Sequence, residues 1–232
     1  SKMTITLLEG SPRLLNGMSE HAGNQSVRYL KQLDVDVRLN ALVEDYNGTV
    51  VSLKGGETLH AKTLLWAAGI KANQIQGLPD EAYGHGGRIK VNTLSQTTFS
   101  PNIYVLGDQA LMETEATPKG HPQVAQVAIQ QAQQVAKNFS RQVKGKAPQP
   151  FRYIDKGSMA TIGRNLAVAD LTFGKLKGYP AWLLWLFVHL MAMLGTKNKL
   201  FVFLNWTWSY ITYDQSLRLM IKPRSEEEGV KR

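Results

Sequence analysis

The chain has 232 residues, a formal net charge of +9 at pH 7 and no cysteine, and 43% of its residues are hydrophobic. This length and composition are those of a folded protein with one large or two modest domains. The absence of cysteine excludes disulfide bonds and any redox reaction that uses a cysteine pair. The five histidines lack the paired spacing of a metal site, so we expect no metal centre.

Positive charge is concentrated in the C-terminal third of the chain. Residues 151–224 contain 10 basic and 3 acidic side chains, whereas residues 1–150 contain 15 and 12. In the C-terminal part the basic residues are interleaved with Trp, Phe and Leu, which is typical of proteins that contact an anionic membrane surface. A nucleic-acid site favours a basic groove with hydrogen-bonding side chains, so we expect no nucleic-acid partner.

The first predicted element is a strand from Met3 to Glu9. In a Rossmann domain, the acidic residue at the end of the second strand accepts hydrogen bonds from the adenine ribose hydroxyls and repels a 2′-phosphate. Glu9 is therefore a candidate for selecting NAD over NADP. A solvent-facing glutamate at a strand end is the alternative.

Helical and strand patterns alternate between residues 19 and 61. The predictions are a helix at Ser19–Leu33, a strand at Val35–Leu39, hairpin strands at 41–46 and 49–53, and a returning strand at 58–61. Val27, Leu30 and Leu33 have the spacing of one apolar helix face, and Asn47-Gly48 suits the positive φ angles of a tight turn. We expect a structural role for this small β-meander.

Two short apolar runs end in small or acidic residues. Leu64–Trp66 is followed by Ala67–Gly69, and Ile103–Leu106 is followed by Gly107-Asp108. Both runs are typical of buried strands. Ligands of open α/β sheets bind at the carboxyl ends of strands, where glycine allows close approach and aspartate accepts hydrogen bonds from sugar or ribityl hydroxyls. Gly107 and Asp108 are thus candidates for a polyol-phosphate cofactor, with an ordinary Gly-Asp turn as the alternative.

A glutamine-rich helix is predicted to begin near Val124. Gln126 and Gln130 are four residues apart and share one face, where Ala125 and Ala128 leave room for a flat ring. The unpaired N–H groups and the positive dipole end at the start of this helix favour negative charge on such a ring. A solvated polar helix is the alternative.

A hinge rich in Lys and Pro at 144–150 precedes a C-terminal module. Three strands are predicted after it, at 151–157, 158–164 and 167–171. Lys156 lies just before a turn glycine in the first of them. It is a candidate for contact with a reduced ring or an acceptor oxygen, and a solvated lysine is the alternative.

Two apolar runs follow, at Ala181–Leu194 and Leu200–Tyr213. The first has 14 residues and spans about 21 Å as a helix, which is short of the roughly 30 Å of membrane hydrocarbon. The second contains aromatic residues that prefer the lipid headgroup level. The basic residues that bracket the two runs are Lys175, Lys177, Lys197, Lys199, Arg218, Lys222 and Arg224. We expect two helices lying in one leaflet, with a buried helical hairpin at a homodimer interface as the alternative, and a disordered tail at 225–232.

The order of these motifs resembles that of the type II NADH dehydrogenases, which are flavoproteins with two dinucleotide-binding domains. The shared patterns are E-x-x-x-R-L-L at 9–15, A-Q-x-A-x-Q at 125–130, F-x-Y-x-D-x-G at 151–157 and A-x-I-G-R at 160–164. The resemblance implies a respiratory-chain enzyme with FAD and NAD(H) as cofactors. Such an enzyme passes electrons from NADH through FAD to a membrane quinone.

The resemblance also implies a role for individual residues. The implied FAD contacts are Gly107, Asp108, Val124, Ala125 and Gln126, and the implied NAD contacts are Glu9, Ala68 and Gly69. The implied catalytic residues on the quinone side are Gln126, Gln130 and Lys156. The start of the glutamine-rich helix would stabilise negative charge on the reduced flavin.

The implied fold is α/β, with partial Rossmann-like nicotinamide and flavin domains followed by a C-terminal module of short strands and two membrane-surface amphipathic helices. The expected boundaries are 1–80 for the C-terminal part of the NADH-binding domain, 81–147 for the second part of the FAD-binding domain and 148–232 for the anchoring and dimerisation module. The sequence contains no G-x-G-x-x-G loop between a strand and a helix. We therefore expect the C-terminal portion of a longer enzyme, inactive by itself.

The expected state is a homodimeric peripheral membrane protein at the cytoplasmic face of the cell membrane. Its expected partners are NADH, quinone and an anionic membrane surface. The alternative function is a catalytically inactive module with a flavoprotein-like fold that binds or scaffolds at the membrane surface.

Overall fold

The computed structural model of the protein describes residues 3–193 and 195–213, which form a mixed α/β fold. The strands are β1 Ile5–Glu9, β2 Val35–Leu39, β3 Val43–Tyr46, β4 Val50–Leu53, β5 Thr58–His60, β6 Ile89–Lys90, β7 Ala110–Leu111, β8 Ser158–Gly163, β9 Leu166–Leu171 and β10 Gly174–Lys177. The helices are α1 Glu20–Gln32, α2 Ala125–Val143, α3 Gly178–Ala192 and α4 Thr196–Thr212. The predicted tail at 225–232 and the residues Arg218, Lys222 and Arg224 lie outside the described residues.

The chain divides into two compact units, and the first contains residues 1–40 and 159–232. In it β1 and β2 form a parallel pair, with Ile5 opposite Val35 and Glu9 opposite Leu39. The helix α1 connects these two strands. A parallel pair needs such a crossover, because the chain must return to the same end of the sheet before the second strand begins. The predictions for these three elements are confirmed to within two residues at each end.

The buried face of α1 differs from the predicted one. Val27 and Leu30 are only half-buried, and Leu33 is exposed. The buried residues of the helix are Ala22, Gly23, Gln25, Ser26 and Tyr29. The predicted face was wrong because the small residues let α1 approach the preceding loop, where a Cβ on Gly23 would lie 2.6 Å from the carbonyl oxygen of Leu14.

A carboxylate from the C-terminal part of this unit caps α1. Asp170 in β9 accepts hydrogen bonds from the backbone N–H (2.6 Å) and the Oγ (2.8 Å) of Ser19. The same Oγ accepts a hydrogen bond from the N–H of Ala22 at 3.3 Å, which satisfies one of the unpaired donors of the first turn. Because Ala22 and Tyr29 also share a core with Val168 of β9, the first 40 residues and the C-terminal module fold together.

The C-terminal module consists of a three-stranded sheet and two helices. The strand order is β10-β9-β8, so β9 lies in the centre. Ala167 and Ala169 of β9 and Ala181 of α3 are fully buried against one another, and their small side chains let the helix lie close to the sheet. Most of the first predicted apolar run lies in α3, and the second lies in α4 up to Thr212. Among the described helices, none is both long enough and apolar enough to cross a bilayer.

The second unit contains residues 41–158. Its β3–β4 hairpin forms as predicted, with Gly48 at a φ of +98°. The Asn47 side chain stabilises the turn, since its Oδ1 accepts hydrogen bonds from the N–H groups of Thr49 (3.0 Å) and Val50 (2.8 Å). The returning strand β5 pairs with β4. A separate apolar core is formed by Val91, Ala110, Met112 and Phe151.

Three predicted strands of this unit are absent from the described residues. Leu64–Trp66 has no strand pairing, and Leu65 and Trp66 are 87% and 66% exposed. Ile103–Leu106 makes one isolated bridge, between Gln96 and Tyr104, and 151–157 has no regular structure. The predictions were wrong because an apolar or alternating pattern describes side chains, whereas a strand also needs backbone partners on a neighbouring segment.

Candidate functional site

The Gly107-Asp108 turn lies directly against the helix α2. Gly107 has a φ of +64°, and a Cβ at this position would lie 3.0 Å from the Cβ of Ala128. The N–H of Gly107 donates a 2.7 Å hydrogen bond to Oε1 of Gln131, whose side chain is 1% exposed. Glycine is needed here both for the left-handed backbone and for the close approach to the helix.

Gln131 is a residue that sequence reasoning missed. It belongs to a buried face of α2 that also contains Val127 and Val135, and the four-residue spacing of these three positions is visible in the sequence. A glutamine between two valines on one helix face indicates a buried amide that needs a partner. The sequence does not show that the partner is Gly107.

The Asp108 carboxylate is available to a ligand. The residue is exposed, and its backbone oxygen accepts a 3.1 Å hydrogen bond from Nε2 of Gln123. Within the described residues, no group donates a hydrogen bond to the carboxylate itself. The side chain can therefore accept hydrogen bonds from hydroxyl groups of a bound molecule.

The N-terminus of α2 is also open to a ligand. Val124 is the N-cap residue and provides no side-chain hydrogen bond to the first turn. The N–H of Val127 donates to the carbonyl oxygen of Val124, whereas those of Ala125 and Gln126 keep their capacity to donate and, together with the helix dipole, favour negative charge nearby. The side chain of Gln123 joins the segment before α2 to the backbone of Asp108, so the exposed Asp108 carboxylate and the start of α2 lie in the same region of one unit.

A buried arginine holds the loop that precedes α2. Arg88 is 6% exposed and donates hydrogen bonds from Nε to the carbonyl oxygen of Ala110 (2.9 Å) and from Nη2 to that of His121 (3.0 Å). Burial lowers the pKa of Arg88, and the negative charge of Asp108 opposes that shift. From the sequence, Arg88 belongs to a segment that resembles the one leading into the flavin strand of the family, but no role at the site was assigned to it.

His121 lies in an aromatic environment at the end of the same loop. Its ring contacts those of Phe151 and Tyr153 edge-on, with centroids 5.3 and 5.8 Å apart. Its Nδ1 is buried and has no hydrogen-bond partner among the described residues. Burial, reinforced by the positive charge of Arg88, lowers the pKa of His121, so the neutral imidazole is favoured.

Gln126, Gln130 and Lys156 are brought together on the outer side of α2. Gln126 donates from Nε2 to the carbonyl oxygen of Gly157 (2.9 Å) and accepts at Oε1 from the N–H of Lys156 (3.3 Å). Gln130 makes the equivalent pair with the carbonyl oxygen (2.9 Å) and the N–H (3.0 Å) of Ile154. Both glutamines are half-buried, and the Lys156 side chain is exposed.

The residues predicted to contact NAD lie in both units. Glu9 belongs to the first, where its Oε1 accepts a 2.9 Å hydrogen bond from the N–H of Ser11. Ala68 and Gly69 belong to the second and are exposed, with Gly69 at a φ of +106°. In the part of the chain that the structure describes, no group of three or more His, Asp or Glu residues could hold a metal ion.

Two family descriptions match the chain. The pyridine nucleotide-disulphide oxidoreductase description matches residues 1–132, and the NDH2 C-terminal domain description matches residues 156–212. The chain therefore belongs to the pyridine nucleotide-disulphide oxidoreductase family. The match to the NDH2 C-terminal domain confirms the predicted resemblance to the type II NADH dehydrogenases.

Curated relatives agree with this placement. The chain is 32% identical over 223 residues to the type II NADH:quinone oxidoreductase Ndh of Mycobacterium tuberculosis, with 91% of this chain and 47% of the relative covered. It is 31% identical over 180 residues to the type II NADH:quinone oxidoreductase of Staphylococcus aureus, with 75% and 44% covered. The chain spans about half the length of these relatives.

Solved structures confirm the α/β flavoprotein fold. NDH2 from Plasmodium falciparum in complex with NADH superposes with a TM-score of 0.80 at 19% identity, covering 95% of this chain and 60% of that one. The sulfide:quinone oxidoreductase of Aquifex aeolicus superposes with a TM-score of 0.63 at 17% identity, covering 78% and 47%. At these identities the similarity shows the fold alone.

Proposed function

We propose that this chain is part of an FAD-dependent NADH:quinone oxidoreductase. The observation that carries the proposal is the position of α2, which holds the Gly107-Asp108 turn through Gln131 and the backbone at Lys156 through Gln126, while Gln123 joins the segment before the helix to Asp108. One helix thus borders a site for a polyol and a flat ring on one side and a charged segment on the other. The curated relatives, named as type II NADH:quinone oxidoreductases, support the same function.

The residues present fit FAD. The Asp108 carboxylate would accept hydrogen bonds from ribityl hydroxyls, and Gly107 lets the turn lie against α2. Ala125 and Gln126 would present the free N–H groups of the first turn of α2 to the ring, where they favour negative charge, with Val124 beside them at the N-cap. When bound, the flavin supplies the redox chemistry, and the chain supplies orientation and electrostatics.

On the nicotinamide side we assign Glu9, Ala68 and Gly69 to NADH. The Glu9 carboxylate is oriented by the N–H of Ser11 and would accept hydrogen bonds from ribose hydroxyls while repelling a 2′-phosphate. On the quinone side we assign Gln126, Gln130 and Lys156. The Lys156 ammonium group would donate a hydrogen bond to a quinone oxygen or stabilise negative charge beside the ring.

The C-terminal helices are proposed to anchor a homodimer to an anionic membrane at the cytoplasmic face. None of the residues of α4, Thr196–Thr212, is buried, and most of its large apolar side chains are exposed, whereas Val202 and Trp206 are half-buried. Arg164 lies over the rings of Tyr210 and Tyr213, with centroid distances of 4.3 and 3.8 Å, so the end of α4 is fixed to the sheet. We also propose the domain division 1–80, 81–147 and 148–232, which follows the motif order of the type II NADH dehydrogenases and differs from the two compact units.

The test is NADH oxidation by the intact protein with a short-chain quinone as acceptor. In Gln126→Ala and Gln130→Ala we expect the KM for quinone to rise about tenfold, as lost hydrogen bonds predict, and the KM for NADH to stay unchanged. Gln133→Ala is the control, because Gln133 is exposed on the same helix. Unchanged quinone kinetics in both variants would contradict the proposal that α2 contributes to the quinone site.

A second candidate function follows from the exposed apolar surface of α4, which suits a membrane-binding module without catalytic activity. Flotation with anionic vesicles combined with the NADH assay separates the two. Vesicle binding without NADH oxidation by the intact protein supports the inactive module. Vesicle binding with NADH oxidation supports the enzyme.

A further inference from the structure

The helix α2 carries four amide side chains at four-residue spacing. These residues, here called the amide row, are Gln126, Gln130, Gln134 and Asn138. Since four residues complete about one helical turn, the amides lie one above another along a single face. From the sequence, Gln126 and Gln130 were expected to face a flat ring, with a solvated polar face as the alternative, whereas the structure gives each of the four amides a backbone partner.

The partners belong to one extended segment, residues 149–157. Asn138 donates to the carbonyl oxygen of Gln149 and accepts from its N–H, both at 2.9 Å. Gln130 makes the same double contact with Ile154, and Gln126 joins the N–H of Lys156 to the carbonyl oxygen of Gly157. An antiparallel strand would use the same pairing of one N–H and one carbonyl group. For residues 149–157, which have no strand partner among the described residues, the amide row therefore supplies the hydrogen-bond partners that a neighbouring strand would provide.

We infer that Gln126 and Gln130 are positioning residues that act through Lys156. Their amides hold the backbone on both sides of Asp155-Lys156 and thereby fix the point from which the Lys156 side chain extends. This inference rests on the proposed role of Lys156 at the quinone side. It adds that the two glutamines act on the reaction by fixing the lysine, since the oxygen and nitrogen of each amide are already engaged with the segment.

The same helix relates Lys156 to the flavin side of the site. Gln130 holds Ile154, and the next residue, Gln131, holds the N–H of Gly107. Neighbouring helix positions point about 100° apart, so one rigid element fixes two segments that are far apart in the chain. The separation between the Lys156 backbone and the Asp108 turn is therefore set by α2.

Hydrogen exchange of the intact protein tests the first half of the inference without any substrate. Gln130→Ala and Gln126→Ala remove both the acceptor and the donor, so the N–H of Ile154 or Lys156 loses its side-chain partner. We expect the protection of the Ile154 or Lys156 amide to fall about tenfold in the corresponding variant, as the loss of one hydrogen-bond pair predicts. Gln133→Ala removes an amide at an exposed position of α2 and should leave both amides protected. Unchanged protection in both variants overturns the inference.

A double-mutant cycle tests the second half. Gln130→Glu should lower kcat/KM for quinone about tenfold with lysine present, and less than twofold in a Lys156→Met background, because its effect passes through the lysine. The KM for NADH should not change. Full additivity of the two changes overturns the positioning role and leaves direct quinone contact by Gln130. If the unmodified protein lacks NADH:quinone activity, the proposed function fails, while the exchange experiment still decides whether the amide row holds 149–157.

Discussion

The helices α2 and α4 are similar in length, at 19 and 17 residues, but the more polar of the two has buried residues and the more apolar one has none. The sequence of α2 is rich in glutamine, yet Val127, Gln131, Val135 and Asn138 are buried. The sequence of α4 is rich in Phe, Leu and Trp, yet none of its residues is buried. The comparison teaches that an amide becomes an interior residue when the fold supplies backbone partners, and that apolar composition alone does not bury a helix among the described residues.

The largest effect is expected from the buried amide of α2. Gln131→Ala leaves the N–H of Gly107 without its acceptor and opens a cavity, so we expect the free energy of unfolding to fall by about 3 kcal/mol. Gln133→Ala, on the exposed face of the same helix, should change it by less than about 0.5 kcal/mol. Urea unfolding measures both. Equal losses in the two variants would show that α2 is not held by its buried amide.

A smaller effect is expected at the residue that faces this amide. Gly107→Ala strains a backbone with φ at +64° and places a methyl group 3.0 Å from Ala128, so we expect a loss of about 2 kcal/mol in unfolding free energy. Gly145 has a similar φ of +67° with no atom within 4 Å of a Cβ. Gly145→Ala therefore measures the backbone strain alone, at about 1 kcal/mol. Equal losses of unfolding free energy in the two variants would show that the close approach of Gly107 to Ala128 adds nothing to the cost of the backbone strain.

The exposed apolar surface of α4 can be tested at Trp208, which is 63% exposed. Trp208→Ser should change the free energy of unfolding by less than about 0.5 kcal/mol. It should weaken partition onto anionic vesicles at least about tenfold, since a tryptophan that enters the membrane interface contributes about 2 kcal/mol. Asn205→Ser is the matched polar control on the same helix. A large loss of stability without a loss of vesicle binding would indicate that α4 is covered by protein.

The smallest effect concerns the histidine beside the start of α2. Because the pKa of His121 is lowered from its ordinary value of 6.5, the unfolded chain takes up a proton first as the pH falls through that value. The free energy of unfolding should therefore decrease between about pH 7 and pH 5, and part of the decrease should disappear in His121→Phe. Phenylalanine keeps the ring contacts with Phe151 and Tyr153 and does not titrate. If the unfolding free energy of the unmodified protein and of His121→Phe depends on pH in the same way, the imidazole of His121 is not buried.

Several elements could be predicted because their causes are local. The β3–β4 hairpin follows from Asn47-Gly48, and α1 begins at Ser19 because serine is a good N-cap. The two C-terminal helices follow from long apolar runs. For the site, the sequence identified Gly107, Asp108 and the start of α2 as neighbours of one ligand, and their roles toward FAD and quinone remain proposals.

Other features could not be predicted because they depend on residues distant in the sequence. The buried face of α1 depends on its approach to Leu14 and on β9. The exposure of Leu65 and Trp66 depends on which segments lie beside them. The buried pair Arg88 and His121 depends on carbonyl and ring contacts between the loop before α2 and two other segments.

The sequence by itself determined the local elements and the family, because capping residues, turn dipeptides, apolar periodicity and motif order act over a few neighbouring positions. The tertiary structure decided which polar groups meet. The amide row of α2, the acceptor for the N–H of Gly107 and the cap that Asp170 places on Ser19 join segments far apart in the chain. A hydrogen bond needs both partners within about 3 Å, and only the folded chain brings them to that distance.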